Sequence, residues 1–238
     1  MTGRRADEVA ANLDAVRGRI RAACAEAGRP EDDVALVVVT KFFPASDVRL
    51  LADLGVTDVG ENRHQEAQTK AAECADLRLR WHFIGGLQSN KAAAVASYAD
   101  VVESLDRPKL VGPLSRGAHA RTGPPGTGVD VLLQVSLDPP GATHRSGADP
   151  ADLDELARLV AGADALRLRG LMAVAPLGED PATAFARLAD VRADFLREHP
   201  DATVLSAGMS GDLEAAIAHG ATHVRVGSAV LGPRPAVQ

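Results

Sequence analysis

Eight short segments rich in β-branched and apolar residues recur along this chain, and the stretches between them are patterned for helix. They are Val34 to Lys41, Val56 to Glu61, Trp81 to Gly85, Asp100 to Leu105, Val129 to Leu137, Leu166 to Val174, Thr203 to Ser206 and Thr222 to Gly227. Val34 to Val39 and Val131 to Val135 are continuously apolar, as parallel strands covered on both faces require.

An open doubly wound sheet gives a similar rhythm, but eight βα units predict a closed barrel. The expected fold class is therefore α/β, a single (β/α)8 TIM barrel. An extra helix precedes it: from Ala6 to Ala27, the residues Val9, Leu13, Val16, Ile20 and Ala23 recur at steps of three and four, and Gly28-Arg29-Pro30 stops the run. No fixed-period repeat or composition break divides the 238 residues, so residues 1–238 are expected to form one domain. Gly117 to Gly128 and Asp138 to Pro150 read as loops, being rich in Gly and Pro.

Composition removes several classes of function. The longest apolar run is far shorter than the ~20 residues of a membrane span, and the N-terminus is polar and charged where a secretory signal is apolar. These features predict a cytoplasmic protein with no membrane partner. A net charge of −6, no long basic run, and a single Trp and Tyr argue against nucleic-acid binding. Cys24 and Cys74 have no metal-ligand or redox spacing and read as small buried thiols. His82, in Trp81-His82-Phe83-Ile84-Gly85, stands alone among apolar neighbours and reads as a satisfied core histidine, so no metal site is expected.

In barrels of this type reacting groups sit at the C-terminal ends of strands, and the loops after strands seven and eight commonly grip phosphate. Lys41 ends the first strand on the face shared by Val37 and Val39. It is either a solvated strand-end lysine or, if desolvated in the barrel mouth, a nucleophilic amine suited to a Schiff base. Ser210, between strand seven and the next helix, sits where an N-cap would sit, and it either caps that helix or binds phosphate beside it. In Val224-Arg225-Val226-Gly227-Ser228, Gly227 lets the backbone approach a phosphate and Ser228 adds a hydroxyl. Val224 and Val226 should face the helices, leaving Arg225 inward with two candidate partners, a pyridine nitrogen or a buried carboxylate. Arginine keeps its proton, so a pyridine nitrogen facing it would stay unprotonated and its ring would be a poor electron sink. Asn62 ends strand two, where it either caps the following helix or contacts a ligand.

Thr40-Lys41, Gly60-Glu61-Asn62, the string Trp81 to Lys91, Gly170-Leu171-Met172-Ala173 and the stretch Ser206 to Gly232 together resemble the pyridoxal phosphate homeostasis protein family, over nearly the whole chain. That family is similar in fold to the N-terminal barrel of alanine racemase. The resemblance implies pyridoxal 5′-phosphate (PLP) as cofactor, held by Lys41 as an internal aldimine. Its phosphate would be gripped by Ser210, Gly227 and Ser228, with Arg225 beside the pyridine nitrogen. Ser228 stands where members commonly have Thr, which keeps the hydroxyl. At His144-Arg145-Ser146-Gly147 many members carry a Lys near the Gly, so a lysine-specific role there is in doubt.

The function implied is PLP homeostasis without a catalytic residue, with PLP-dependent apo-enzymes as recipients and the chain a monomer. The alternative is a PLP-dependent amino-acid racemase. Two-base racemisation needs a second acid-base group opposite the lysine, and the sole tyrosine, Tyr98, falls in a segment read as helix after strand three. The chain stops soon after strand eight, so no second domain is expected to supply one. A class I aldolase-like barrel acting on a phosphorylated sugar is the third reading.

Overall fold

In the computed structural model, which describes residues 2–121, 128–138 and 147–233, eight parallel strands close on themselves in sequence order. They are β1 (Ala35–Val39), β2 (Asp58–Glu61), β3 (Arg80–Phe83), β4 (Val101–Leu105), β5 (Val129–Val135), β6 (Leu166–Ala173), β7 (Val204–Ser206) and β8 (His223–Val226). Each lies where the apolar rhythm places one, and most are a residue or two shorter. The barrel closes through β1 and β8, with Val37 opposite Arg225.

Helix α1 (Thr2–Glu26) precedes the barrel. The connecting and trailing helices are α2 (Ala45–Asp53), α3 (His64–Glu73), α4 (Ala92–Ala96), α5 (Val111–His119), α6 (Leu153–Ala161), α7 (Pro181–Glu198), α8 (Leu213–Ala218) and α9 (Ser228–Leu231). The apolar stripe of α1, Val9, Leu13, Val16, Ile20 and Ala23, is buried against the outward faces of β1 and β8, where Val38, Val224 and Val226 pack. Burying its Val, Leu and Ile side chains stabilises by roughly 1.5–3 kcal/mol each, which anchors a helix outside the βα repeat. Gly28 ends the segment with φ of 67°, a conformation that glycine adopts without strain.

One expectation changes. Gly117 opens no loop: it lies inside α5, where a Cβ would fall 2.1 Å from the carbonyl oxygen of Ala93, so glycine there lets α5 approach α4. The parts of the expected loops at 122–127 and 139–146, with His144 and Arg145, lie outside the described residues. Cys24 and Cys74 are both buried and unpaired, as small core thiols.

The barrel interior is of two kinds. Val101, Leu132 and Met172 form a small apolar cluster. Facing the same lumen are Asp58, His82, Glu103, Ser206 and Arg225, all joined by hydrogen bonds.

Candidate functional site

At the C-terminal ends of β1, β7 and β8 a cavity of about 270 Å³ opens, with Lys41, Ser210, Arg225, Gly227 and Ser228 in its wall. Strand alternation brings them there. Val37 and Val39 face inward on β1 and the wall continues to Lys41 two residues on, while Val224 and Val226 turn outward and leave Arg225 inside. Phe42, Phe43 and Met209 supply the apolar part of the wall.

The segment that carries Lys41 is held from outside the barrel. Lys70 on α3 is buried, and its Nζ donates to the carbonyl oxygen of Thr40, to Glu61 Oε1 and to Glu66 Oε1, each at 2.7 Å. Thr40 Oγ1 donates to the same Glu61 oxygen at 2.6 Å. Phe42, directly after Lys41, has φ of 71° and donates its backbone N–H to Glu66 Oε1 at 2.5 Å. A bulky residue in that region is strained by about 1–3 kcal/mol and persists where surrounding bonds determine it.

The two turns on the other side of the cavity are held by α1. Arg19 donates to the carbonyl oxygen of Ser210 at 3.0 Å and pairs with Glu214. Asn12 donates to the carbonyl oxygen of Val230, and Arg5 to that of Leu231. The extra N-terminal helix thus buttresses both turns that face the cavity.

Ser210 is not an N-cap: α8 begins three residues later behind Asp212, which accepts from the N–H of Met209 instead. With six residues in α8 and four in α9, neither has a long macrodipole, and what these turns present is hydroxyls and backbone N–H groups. Gly208 makes the first turn, with φ of 92° and a Cβ position 2.6 Å from that of Ala216. At Gly227 a Cβ would sit 3.1 Å from the carbonyl oxygen of Val39, so a larger residue fits only if β1 gives by a few tenths of an ångström.

Asn62 neither caps α3, whose N-cap is Arg63, nor lies in the cavity wall. Its backbone packs against Gly85, where a Cβ would fall 2.1 Å from the Asn62 carbonyl oxygen.

Arg225 is buried, and of its two candidate partners the protein itself supplies the carboxylate. Nη1 donates to Ser206 Oγ at 2.7 Å and Nη2 to the carbonyl oxygen of Ala173 at 2.9 Å, with Glu103 Oε2 3.8 Å from Nη1. Burial lowers the pKa of Arg225, and the charge of Glu103 opposes that shift. His82 is a satisfied core histidine, but its neighbours are carboxylates: Nδ1 bonds Glu103 at 2.7 Å and Nε2 bonds Asp58 at 3.0 Å. Burial works against its charge, yet the two carboxylates win and raise its pKa to about 9, so both nitrogens donate. Glu103 is pushed up by burial and pulled down further by His82 and Arg225, to about 2. Sequence reading missed Glu103 and Ser206. Their signal was a carboxylate in the apolar strand Val101-Val102-Glu103-Ser104-Leu105, which needs a buried cation.

A second cavity, about 400 Å³, lies at the opposite end beside the starts of β1 and β2, lined by charges of both signs including Arg17, Arg21, Glu31 and Asp32. Among the described residues its lining holds no lysine and no cluster of hydroxyls.

A parallel barrel with a lysine after its first strand and serine-glycine turns after its last two defines a class, and the family model described as alanine racemase, N-terminal domain, matches residues 11–235. An alanine racemase from Clostridium difficile superposes with a TM-score of 0.71 at 14% identity, covering 97% of this chain and 60% of its own, and shows the shared fold. Nearer relatives narrow the class. The pyridoxal phosphate homeostasis protein of Mycobacterium leprae is 41% identical over 98% of this chain and 95% of its own length. PipY of Synechococcus elongatus, solved with PLP bound, has a TM-score of 0.80 and 35% identity, covering 94% of this chain and all of its own. The chain belongs to the pyridoxal phosphate homeostasis protein family.

Proposed function

We propose that the cavity holds PLP and that the chain serves PLP homeostasis, with no catalytic cycle of its own. One observation carries the reading: a primary amine, two hydroxyl-bearing glycine turns and a guanidinium share the wall of a single cavity of about 270 Å³. That size suits one small ring with a phosphate, since pockets for larger ligands run from roughly 300 to 1,000 Å³. The relatives named for PLP homeostasis, and PipY solved with PLP bound, support it.

When bound, PLP supplies an aldehyde that condenses reversibly with a primary amine and a ring that withdraws electrons. Lys41 offers the amine. Ser210, Ser228 and the N–H groups around Gly227 would hold the phosphate, and Arg225 would donate to the ring nitrogen. Asn62, named from the sequence as a cofactor contact, lies outside this wall and is given no direct contact with the cofactor. Arg225 keeps its own proton, so it would offer the ring nitrogen a hydrogen bond without protonating it, which would leave the ring a weak electron sink. Among the described residues in the wall, only Lys41 and Arg225 carry ionisable side chains, and Tyr98 stacks on His64 outside it. A second acid-base group for racemisation is not among them.

The chain is read as a single-domain cytoplasmic monomer that passes PLP to PLP-dependent apo-enzymes; among the described residues no helix is long and apolar enough to cross a membrane. Borohydride reduction of the PLP-loaded protein followed by peptide mapping tests the site. The label is expected on Lys41, and Lys41→Ala should abolish both label and visible cofactor band. A label on another lysine, or a Lys41→Ala protein that keeps the band, overturns the assignment. Robust turnover of alanine or serine overturns the non-enzymatic reading.

A further inference from the structure

From the floor of the cavity a chain of side chains, buried as far as His82, crosses the barrel interior to Asp58 at its opposite mouth. Arg225 on β8 donates to Ser206 on β7 at 2.7 Å, and Ser206 donates to Glu103 on β4 at 2.6 Å. Glu103 receives His82 from β3 on its other oxygen, and His82 reaches Asp58 on β2. β4 and β7 are not neighbours in the barrel, so the bond between Ser206 and Glu103 spans the lumen.

Each link has one direction. A guanidinium only donates, so the single Ser206 proton goes to Glu103 and a Ser206 lone pair faces Arg225. Both Glu103 oxygens are engaged and Glu103 is fully buried. An arginine and a carboxylate serving stability alone favour a direct bidentate pair near 2.8 Å. Here a serine is interposed, Glu103 stands 3.8 Å away, and Arg225 stays in the cavity wall.

We propose that Ser206 and Glu103 are positioning residues that hold Arg225 aimed at the ring nitrogen of the cofactor, with His82 bracing Glu103 from behind. The proposal rests on the cavity being the PLP site. It assigns a functional consequence to groups that touch no ligand: they keep Arg225 oriented, and an oriented Arg225, which keeps its own proton, would leave the ring nitrogen unprotonated.

The test loads the full chain with PLP labelled by nitrogen-15 in the ring and follows the ring-nitrogen resonance in wild type, Ser206→Ala and Glu103→Gln. Wild type should show an unprotonated, hydrogen-bonded nitrogen. Ser206→Ala should move that resonance and weaken PLP binding about tenfold, the scale of one hydrogen bond to a charged group, while borohydride still labels Lys41. Glu103→Gln should move it further in the same direction. A folded Ser206→Ala protein with unchanged resonance and affinity overturns the proposal. If Glu103→Gln does not fold, Ser206→Ala decides alone, because it leaves His82, Glu103 and Asp58 in place. A wild-type protein that takes no PLP, or is labelled away from Lys41, overturns the cofactor site and this proposal with it; a shift confined to the variants separates the two.

Discussion

Two buried ionic clusters flank the cavity, one inside the barrel beneath Arg225 and one outside it beneath Lys41, and they manage their protons differently. In the inner cluster both oxygens of Glu103 are bonded, and its cations are an arginine that cannot release a proton and a histidine held charged. The outer cluster places Lys70 against two glutamates, and Glu61 Oε2 is buried without a hydrogen-bond partner. Burial raises the Glu61 pKa against the pull of Lys70, so this carboxyl accepts a proton readily. The inner cluster is therefore rigid in charge and suited to orienting a ring. The outer one can absorb a change in charge, and it supports the strained backbone at Phe42 next to the reactive amine.

The largest expected effect breaks the inner cluster by pH alone. His82 rises from 6.5 to about 9 on folding, so its contribution is fully present below about pH 6.5 and is lost as pH climbs through about 9. At 1.36 kcal/mol per unit that amounts to about 3 kcal/mol. Glu103 reports the same bond from the acid side, present above the ordinary 4.5 and lost as pH falls through about 2, so the two are not summed. Denaturant midpoints measured from pH 6 to 10 should fall through this window in wild type and stay flat in His82→Gln. A wild-type midpoint that holds steady to pH 10 would mean that His82 is neutral.

Lys70→Met tests the outer cluster, and a smaller loss of about 2 kcal/mol is expected. Removing one partner of a buried pair typically costs about 3–5 kcal/mol because a bare charge remains. Here Glu61 takes up a proton and relieves part of it. The variant should therefore gain stability as pH falls from neutral toward 5, and PLP affinity should drop severalfold as the Thr40 to Phe42 segment loosens. Equal destabilisation at pH 5 and pH 8 would show that Glu61 stays ionised, and the contrast between the clusters would collapse.

The outer frame of the molecule was legible in the sequence because periodicity is local. The stripe Val9, Leu13, Val16, Ile20 and Ala23, and the inward turn of Arg225 between Val224 and Val226, follow from helix and strand geometry alone. The cavity was legible in part: Lys41, Ser210, Arg225, Gly227 and Ser228 all reach it, because the ends of neighbouring barrel strands converge at one mouth. What was not legible depends on contacts across the lumen or between layers. Nothing local ties Glu103 to Ser206, 103 residues apart, or Lys70 to the Thr40 carbonyl, 30 apart. Of the two readings of Ser210 only the capping one fails, because Gly208 bends the chain and the helix starts late, which no capping rule anticipates.

Asn62 offers the smallest effect and the sharpest control. It follows Glu61 of the outer cluster, and its backbone lies against Gly85, two residues beyond the β3 terminus that carries His82 toward the inner one. The join between the clusters thus depends on the Asn62 backbone rather than its side chain. Asn62→Ala keeps that backbone and removes only an amide outside the cavity wall, so stability should change by no more than about 0.5 kcal/mol, as for an ordinary surface substitution. PLP affinity should shift less than about twofold, below the cost of one lost hydrogen bond. A tenfold loss of affinity in Asn62→Ala with an unchanged denaturation midpoint would place the amide on the cofactor. The work of holding the ligand would then belong to the strand-two end as well, and no longer to the two clusters alone.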